Sequence, residues 1–426
     1  MDRREFLLNT AKASGVVLPW WGLLPLANAQ TAPGKILLYV HAGGGIDHDS
    51  WTDPAIGVGL NNYTTAGTPV VRVGRIAMAP MGNNAAFATR FVDQMLLVNQ
   101  VNTETNSHED GTQRASTGKL EPGFAPICEL HAAKYGPGYA AAWMNRDDAR
   151  AAMSTGLVSP TPVPNGDQLR AMVLPNSANA TTDFVKQTDY AKAVAVRTAR
   201  LEALKAAGVM LPKERLLTEQ VIAGKEARVR LEAVAANIPQ AFNQQFADIQ
   251  VGLIAAQSGI TAAIQVERGG FDSHGNIEDY NGANGSLTRL TNALTFAWDE
   301  AAARGLTDRL VVMVGSEFGR SQLNPTGKDH NNVGGTYLFM LPPGSGLGNR
   351  TVGYSGPRHE ARTINPKTGA PDPAGVMLRP HHVHDAVRDY LGINLPTPNA
   401  AMGVMPAEKL NLFNASMITG HPSLPA

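Results

Sequence analysis

Leu310-Val311-Val312-Met313-Val314-Gly315-Ser316-Glu317-Phe318-Gly319-Arg320 runs from unbroken apolar residues into a glycine-flanked carboxylate and guanidinium. A short apolar run without polar alternation is what a strand buried on both faces requires, and such strands belong to parallel sheets covered by helices. Polar groups placed directly after it fall at the carboxyl edge of the sheet, where open α/β folds hold their ligands. Thr261 to Val266 repeats the device and empties into Gly269-Gly270-Phe271-Asp272-Ser273-His274. Between the two, Leu287 to Arg304 has the composition of a helix, and Thr336 to Leu341 predicts the next strand.

Upstream, Lys35 to His41 reads as a buried strand ending in Gly43-Gly44-Gly45, and Met95 to Val101 as another that enters a polar loop around Asn106-Ser107-His108. Asp183 to Ser258 is rich in Ala, Leu, Glu, Lys and Arg and predicts a helical insertion, interrupted by Pro212 and Pro239. Within it Phe242, Phe246, Ile249 and Leu253 recur at helical spacing and define one face. Pro357 to Pro373 is turn-rich and reads as a surface loop, and His384 to Leu391 as a terminal helix packed on the sheet. Alternating strand and helix give an α/β fold with a mainly parallel central sheet.

The N-terminus reads Arg3-Arg4-Glu5-Phe6-Leu7, an apolar stretch from about Gly15 to Leu26, and the small-residue ending Ala27-Asn28-Ala29. It resembles a twin-arginine export signal over residues 1–29, cleaved before Gln30, which implies recognition by the twin-arginine export machinery and a periplasmic destination. Its apolar core is shorter than the ~20 residues a spanning helix needs, and nothing later in the chain reads as a membrane span. Cys128 is the sole cysteine, so an internal disulfide is impossible and stability must come from packing. The chain is formally neutral, and losing three basic and two acidic residues with the signal leaves a net charge of −1. A surface of that balance lacks the concentrated basic field that nucleic acid requires. With 43 Gly and 28 Pro, residues 30–426 carry many turns and long loops.

Asp272 and His274 stand two apart just past a strand, and in extended backbone such residues share a face. Together they can bind a divalent cation, or they are a turn aspartate beside a surface histidine. Glu317 is a candidate ligand or base, with Arg320 as a fork for an anionic oxygen or as the neutralising partner of a buried Glu317. His330, in the polar loop Lys328-Asp329-His330-Asn331, could complete a cation site. Asp47, His48 and Asp49 follow the first strand and its glycines, and such hard ligands suit a cation or cap a turn. His41 reads as a core histidine. Ser107 is a candidate nucleophile, and since neighbours in a strand face opposite ways it need not pair with His108. His381, His382 and His384 lie at a helix start and read as capping or packing groups.

In this order, Gly44-Gly45-Ile46-Asp47, Ser107-His108, Gly269 to His274, Ser316 to Arg320 and Asp329-His330 resemble the exported bacterial family called domain of unknown function 1501, a branch of the alkaline phosphatase-like and sulfatase-like superfamily. The resemblance implies a three-layer α/β/α fold over residues 30–426 and a metal-dependent hydrolase-like protein acting on a small phosphate or sulfate ester. It further implies one or two divalent ions (zinc, manganese or calcium), with Asp47 and Glu317 holding one and Asp272, His274 and His330 the other. Ser107 would be the nucleophile and Arg320 the anion contact. The alternative class is a non-catalytic secreted protein that keeps the fold to bind a ligand or partner. The family pattern is not followed everywhere: Glu317-Phe318 stands where hydrolytic relatives have an Asp-His pair, Lys328 and Asn331 stand where the family often has glycines, and Asp47 is followed by His48 instead of Gly. Glu129-Leu130-His131 after Cys128 lacks the Pro and Arg of formylglycine maturation.

Overall fold

In a computed structural model, residues 34–420 are described except 56–58, 66–68, 138, 148–152, 174–186, 212–213, 216–217, 219–234, 236–237, 357–359, 396–401 and 418. The expected export signal and Pro212 therefore lie outside the described residues. The strands are β1 (Ile36–Gly43), β2 (Val71–Val73), β3 (Ile76–Met78), β4 (Met95–Val101), β5 (Trp143–Arg146), β6 (Thr161–Pro162), β7 (Ala263–Gly269), β8 (Leu310–Gly315), β9 (Gly319–Asn324), β10 (Gly327–Asn331), β11 (Gly335–Met340) and β12 (Arg350–Val352). The principal helices are α1 (Asn84–Phe91), α2 (His108–Thr117), α3 (Ile127–Tyr135), α4 (Gly166–Val173), α5 (Gln187–Ala206), α6 (Ala247–Gln257), α7 (Ser286–Ala303) and α8 (Pro380–Leu391).

Eight strands form one sheet in the order β12-β4-β11-β8-β1-β7-β5-β6. β11 runs antiparallel to both its neighbours, and the remaining pairs are parallel. β1 is wholly buried at the centre, which explains its lack of polar alternation. Odd and even positions of the same strands feed separate cores. Leu38, Val40 and Val312 pack with Leu290 and Leu294 of α7, while Leu37, Tyr39 and Met313 pack with Leu130 of α3 and Val387 of α8. The result is a three-layer α/β/α fold, as expected.

Register then fixes the working edge. Gly43 pairs with Gly269, and His41 with Gly315, so the loops after β1, β7 and β8 leave the sheet side by side. β4 runs in the same direction and brings the segment before α2 to that edge. β9 and β10 form an antiparallel hairpin above it before the chain re-enters as β11.

Several boundaries differ from the sequence reading. β7 begins at Ala263 and continues to Gly269, since pairing with β1 extends it into the glycines. Asp329-His330, expected in a loop, lies in β10. α8 starts at Pro380, a residue suited to a first helical turn, so His381, His382 and His384 are within it. Within 183–258, α6 starts at Ala247, so Phe242 and Phe246 precede the helix; Phe246, Ile249 and Leu253 lie together in the core.

Candidate metal centre

Gly44 and Gly45 turn the chain after β1 with φ of +112° and +77°. A Cβ on Gly45 would stand 2.3 Å from the Phe318 ring, so both the conformation and the space demand glycine. The turn aims its amides at Glu317: Gly44 N–H donates at 2.9 and 3.0 Å to the two carboxylate oxygens and Gly45 N–H at 2.9 Å. His41 Nε2, buried at the end of β1, lies 3.2 Å from Glu317 Oε1. A carboxylate has about four lone-pair positions, and these contacts use them. Burial opposes ionisation of Glu317, but the neighbouring His41 and His108 rings and the Gly44 amide prevail and hold its pKa well below the carboxylate range. Glu317 is thus the clamp that closes β1 onto β8, and its lone pairs face protein instead of an open cation position.

Three side chains, two from the loop after β7 and one from β10, meet above this clamp. His274 Nε2 lies 3.1 Å from Asp272 Oδ1 and 3.0 Å from His330 Nε2. The other ring nitrogens have partners that can only accept: His330 Nδ1 lies 2.7 Å from the Asn106 carbonyl, and His274 Nδ1 lies 3.4 Å from Asp329 Oδ1. His330 Nδ1 therefore carries its ring proton and leaves Nε2 as an acceptor, while His274 Nε2 lies within donating distance of both His330 Nε2 and Asp272 Oδ1. Ligating histidines are held in this way, their second nitrogen donating to a carbonyl or carboxylate. Two ligands about 2.0–2.1 Å from one tetrahedral ion lie roughly 3.3 Å apart, close to these separations.

His108, the first residue of α2, faces the same point. His108, Asp272 and His330 offer ligand atoms that lie within 4.8 Å of one another, as do His274, Asp329 and His330. His108 Nδ1 is 3.9 Å from Glu317, whose carboxylate raises the His108 pKa, whereas burial lowers that of His330. Burial acts to raise the Asp272 carboxyl, and Arg320, His274 and His108 together bring it below the usual value. His108 was not among the ligands expected from sequence. The signal available was its position after a strand with the same direction as β1, which only the sheet order reveals.

Two expected roles change. Arg320 is fully buried, and its guanidinium donates to the Gly45 carbonyl at 2.9 Å, to the Gly44 and Lys328 carbonyls, and to Asp272 Oδ1 at 2.7 Å. Its donors end on protein, so it orients Asp272 rather than reaching a substrate anion. Asp47 does not share a centre with Glu317. It is buried with Lys328 Nζ at 2.8 Å and accepts a hydrogen bond from Ser50. Ser107 is exposed between Asn106 and His108, and its Oγ caps α2 by accepting from Asp110 N–H at 3.3 Å. His384 Nε2 lies 3.0 Å from the Ala115 carbonyl, the packing role expected for the α8 histidines. Cys128 is buried, and burial pushes its thiol pKa up.

The fold and this edge define a three-layer α/β/α protein with a histidine and carboxylate cluster where the parallel strands end. Residues 37–341 match the family described as Protein of unknown function (DUF1501), and the chain belongs to that family. No curated protein matches it significantly. Among solved structures, it is similar to a protein in the alkaline phosphatase superfamily from Vibrio parahaemolyticus, with 11% identity, 94% of this chain and 78% of that one covered, and a TM-score of 0.38. TAB5 alkaline phosphatase with Mg bound is similar at 10% identity over 74% and 94% of the two chains, with a TM-score of 0.32. A protein from a glycosaminoglycan metabolism locus of Bacteroides thetaiotaomicron follows at 9% identity over 89% and 81%, with a TM-score of 0.35.

Proposed function

We propose that this chain is an exported metal-dependent hydrolase-like protein acting on a small phosphate or sulfate ester. The observation that carries the reading is the convergence of His274 Nε2, His330 Nε2 and Asp272 Oδ1, with each Nδ1 facing an acceptor. A divalent cation in place of the proton between these atoms would be held by all three. Asp272, His274 and His330 would hold it, with His108 at its side. Bound there, a divalent ion would supply Lewis acidity toward an ester oxygen. Arg320 keeps Asp272 oriented, and the Asn106 carbonyl and Asp329 keep the two imidazoles in the ligating tautomer. Ser107 Oγ, at the amino end of α2, serves as nucleophile in this reading, beside backbone amides that favour a negatively charged group.

The test is elemental analysis of the purified protein together with turnover of aryl phosphates and aryl sulfates, for wild type and His274→Ala/His330→Ala. We expect stoichiometric divalent metal and hydrolysis of one ester class, both lost in a folded double variant. Full turnover in that variant would sink the assignment. A second reading, a secreted binding protein without turnover, draws support from Glu317, Asp47 and Arg320, whose polar groups are engaged within the protein. It predicts metal without turnover.

Export through the twin-arginine pathway rests on the Arg3-Arg4 segment and agrees with a chain whose one cysteine forms no disulfide. Among the described residues no helix is long and apolar enough to cross a membrane. Replacing Arg3-Arg4 with Lys-Lys should retain the protein in the cytoplasm, as fractionation would show.

A further inference from the structure

Lys328 Nζ lies 2.8 Å from Asp47 Oδ2 and 3.0 Å from Asp49 Oδ2. Asp47, Asp49 and Lys328 are at most 1% exposed, so water does not screen this arrangement. The sequence Asp47-His48-Asp49 has the hard oxygen donors of a cation site, and the cation it holds is an ammonium.

Two further observations give this ammonium a wider role. Asp47 Oδ1 is buried and makes no hydrogen bond among the described residues, so one acceptor of the cluster is left over by the lysine. An ion with six or more oxygen ligands could use it, whereas an ammonium has three directed donors. Lys328 also joins three segments of the edge. Its N–H donates to the Ser273 carbonyl at 2.9 Å, its carbonyl accepts from Arg320 Nη1 at 3.3 Å, and its side chain holds the loop after β1. Residues two apart on a regular strand share a face, but the register of β10 on β9 shifts between Lys328 and His330. That shift lets Lys328 turn inward while His330 meets His274.

We propose that Lys328 is a built-in cation standing where the Asp47 and Asp49 carboxylates would otherwise hold a hard divalent ion. The chain then has one ion position at this edge, the histidine cluster, and the acidic loop is closed to metal. Lys328 acts as a positioning residue, tying the loop after β1 to the strand that carries His330. Only the total of one ion rests on the metal reading above. The state of the acidic loop does not.

The experiment separates the two positions. In His274→Ala/His330→Ala, with Lys328 intact, titration with magnesium, calcium or manganese should show no stoichiometric binding and no rise in the thermal midpoint. Adding Lys328→Ala to that background should create binding of one equivalent, with a thermal midpoint that climbs on addition of the ion and a response abolished by Asp47→Asn. An ion retained in the double variant and lost on Asp47→Asn overturns the proposal, because the lysine would not have excluded it. A triple variant that takes no ion, folded or not, overturns it equally. A wild type without metal would refute the histidine site while leaving the gain in the triple variant as the criterion here.

Discussion

Glu317 and Arg320 show how much a single side chain does at this edge when its polar atoms are all engaged. The Glu317 carboxyl is ionised in the fold well below its ordinary pKa of 4.5, so the unfolded chain takes up its proton first as pH falls. Its contribution is therefore complete above about pH 4.5 and is lost as pH drops through the folded value. We expect Glu317→Gln to lower the urea midpoint at neutral pH and to flatten the acid limb below pH 4.5 relative to wild type. An unchanged acid limb would remove Glu317 from its role as a charged clamp. Arg320→Lys, which cannot reproduce a fork with four acceptors, should cost about 3 kcal/mol of stability in chemical denaturation, typical of a broken buried charge network. It should also weaken metal retention through Asp272, while a variant of ordinary stability would show the guanidinium to be free for other use.

At the scale of elements, the amino end of α2 carries both a structural and a proposed chemical duty on Ser107. The two can be separated, since glycine caps a helix nearly as well as serine while alanine does not. Ser107→Ala should lose about 1 kcal/mol, and Ser107→Gly only a few tenths, by urea midpoint. If Ser107 is the nucleophile, both variants lose turnover; turnover that survives in Ser107→Gly would reassign it as a cap. The strand elements were legible in sequence because β1, β4, β8, β11 and the Ala263 to Val266 part of β7 are buried on both faces and are dominated by apolar residues. The short strands β5, β6 and β12 were not, as neither length nor pattern sets them apart from loop. β10 was hidden for a related reason: Lys328, Asp329 and His330 are polar residues in a hairpin whose partner strand, β9, is equally polar.

For the molecule as a whole, buried histidines set the acid limit. Burial lowers His131 and His382 to about 4 and His381 and His384 to about 3, from an ordinary 6.5. The unfolded chain then binds more protons than the folded one below pH 6.5, so stability falls as pH falls through the window from 6.5 to about 4. Calorimetry near pH 5 should register an uptake of about four protons by these histidines on unfolding, and a midpoint that is flat from pH 6.5 to 4.5 would contradict this account. The α/β class, the central strands and the triad Asp272, His274 and His330 were readable in the chain by itself, because burial imposes apolar runs and motifs follow strand ends. Sheet order was needed to add His108. Only the tertiary structure decided that Lys328 neutralises Asp47, that Arg320 turns inward to Asp272, and that Glu317 spends its lone pairs on the Gly44-Gly45 turn. A charge in a sequence has no assigned partner. Pairing depends on which loops the sheet register sets side by side, and that is fixed by contacts between residues far apart in the chain.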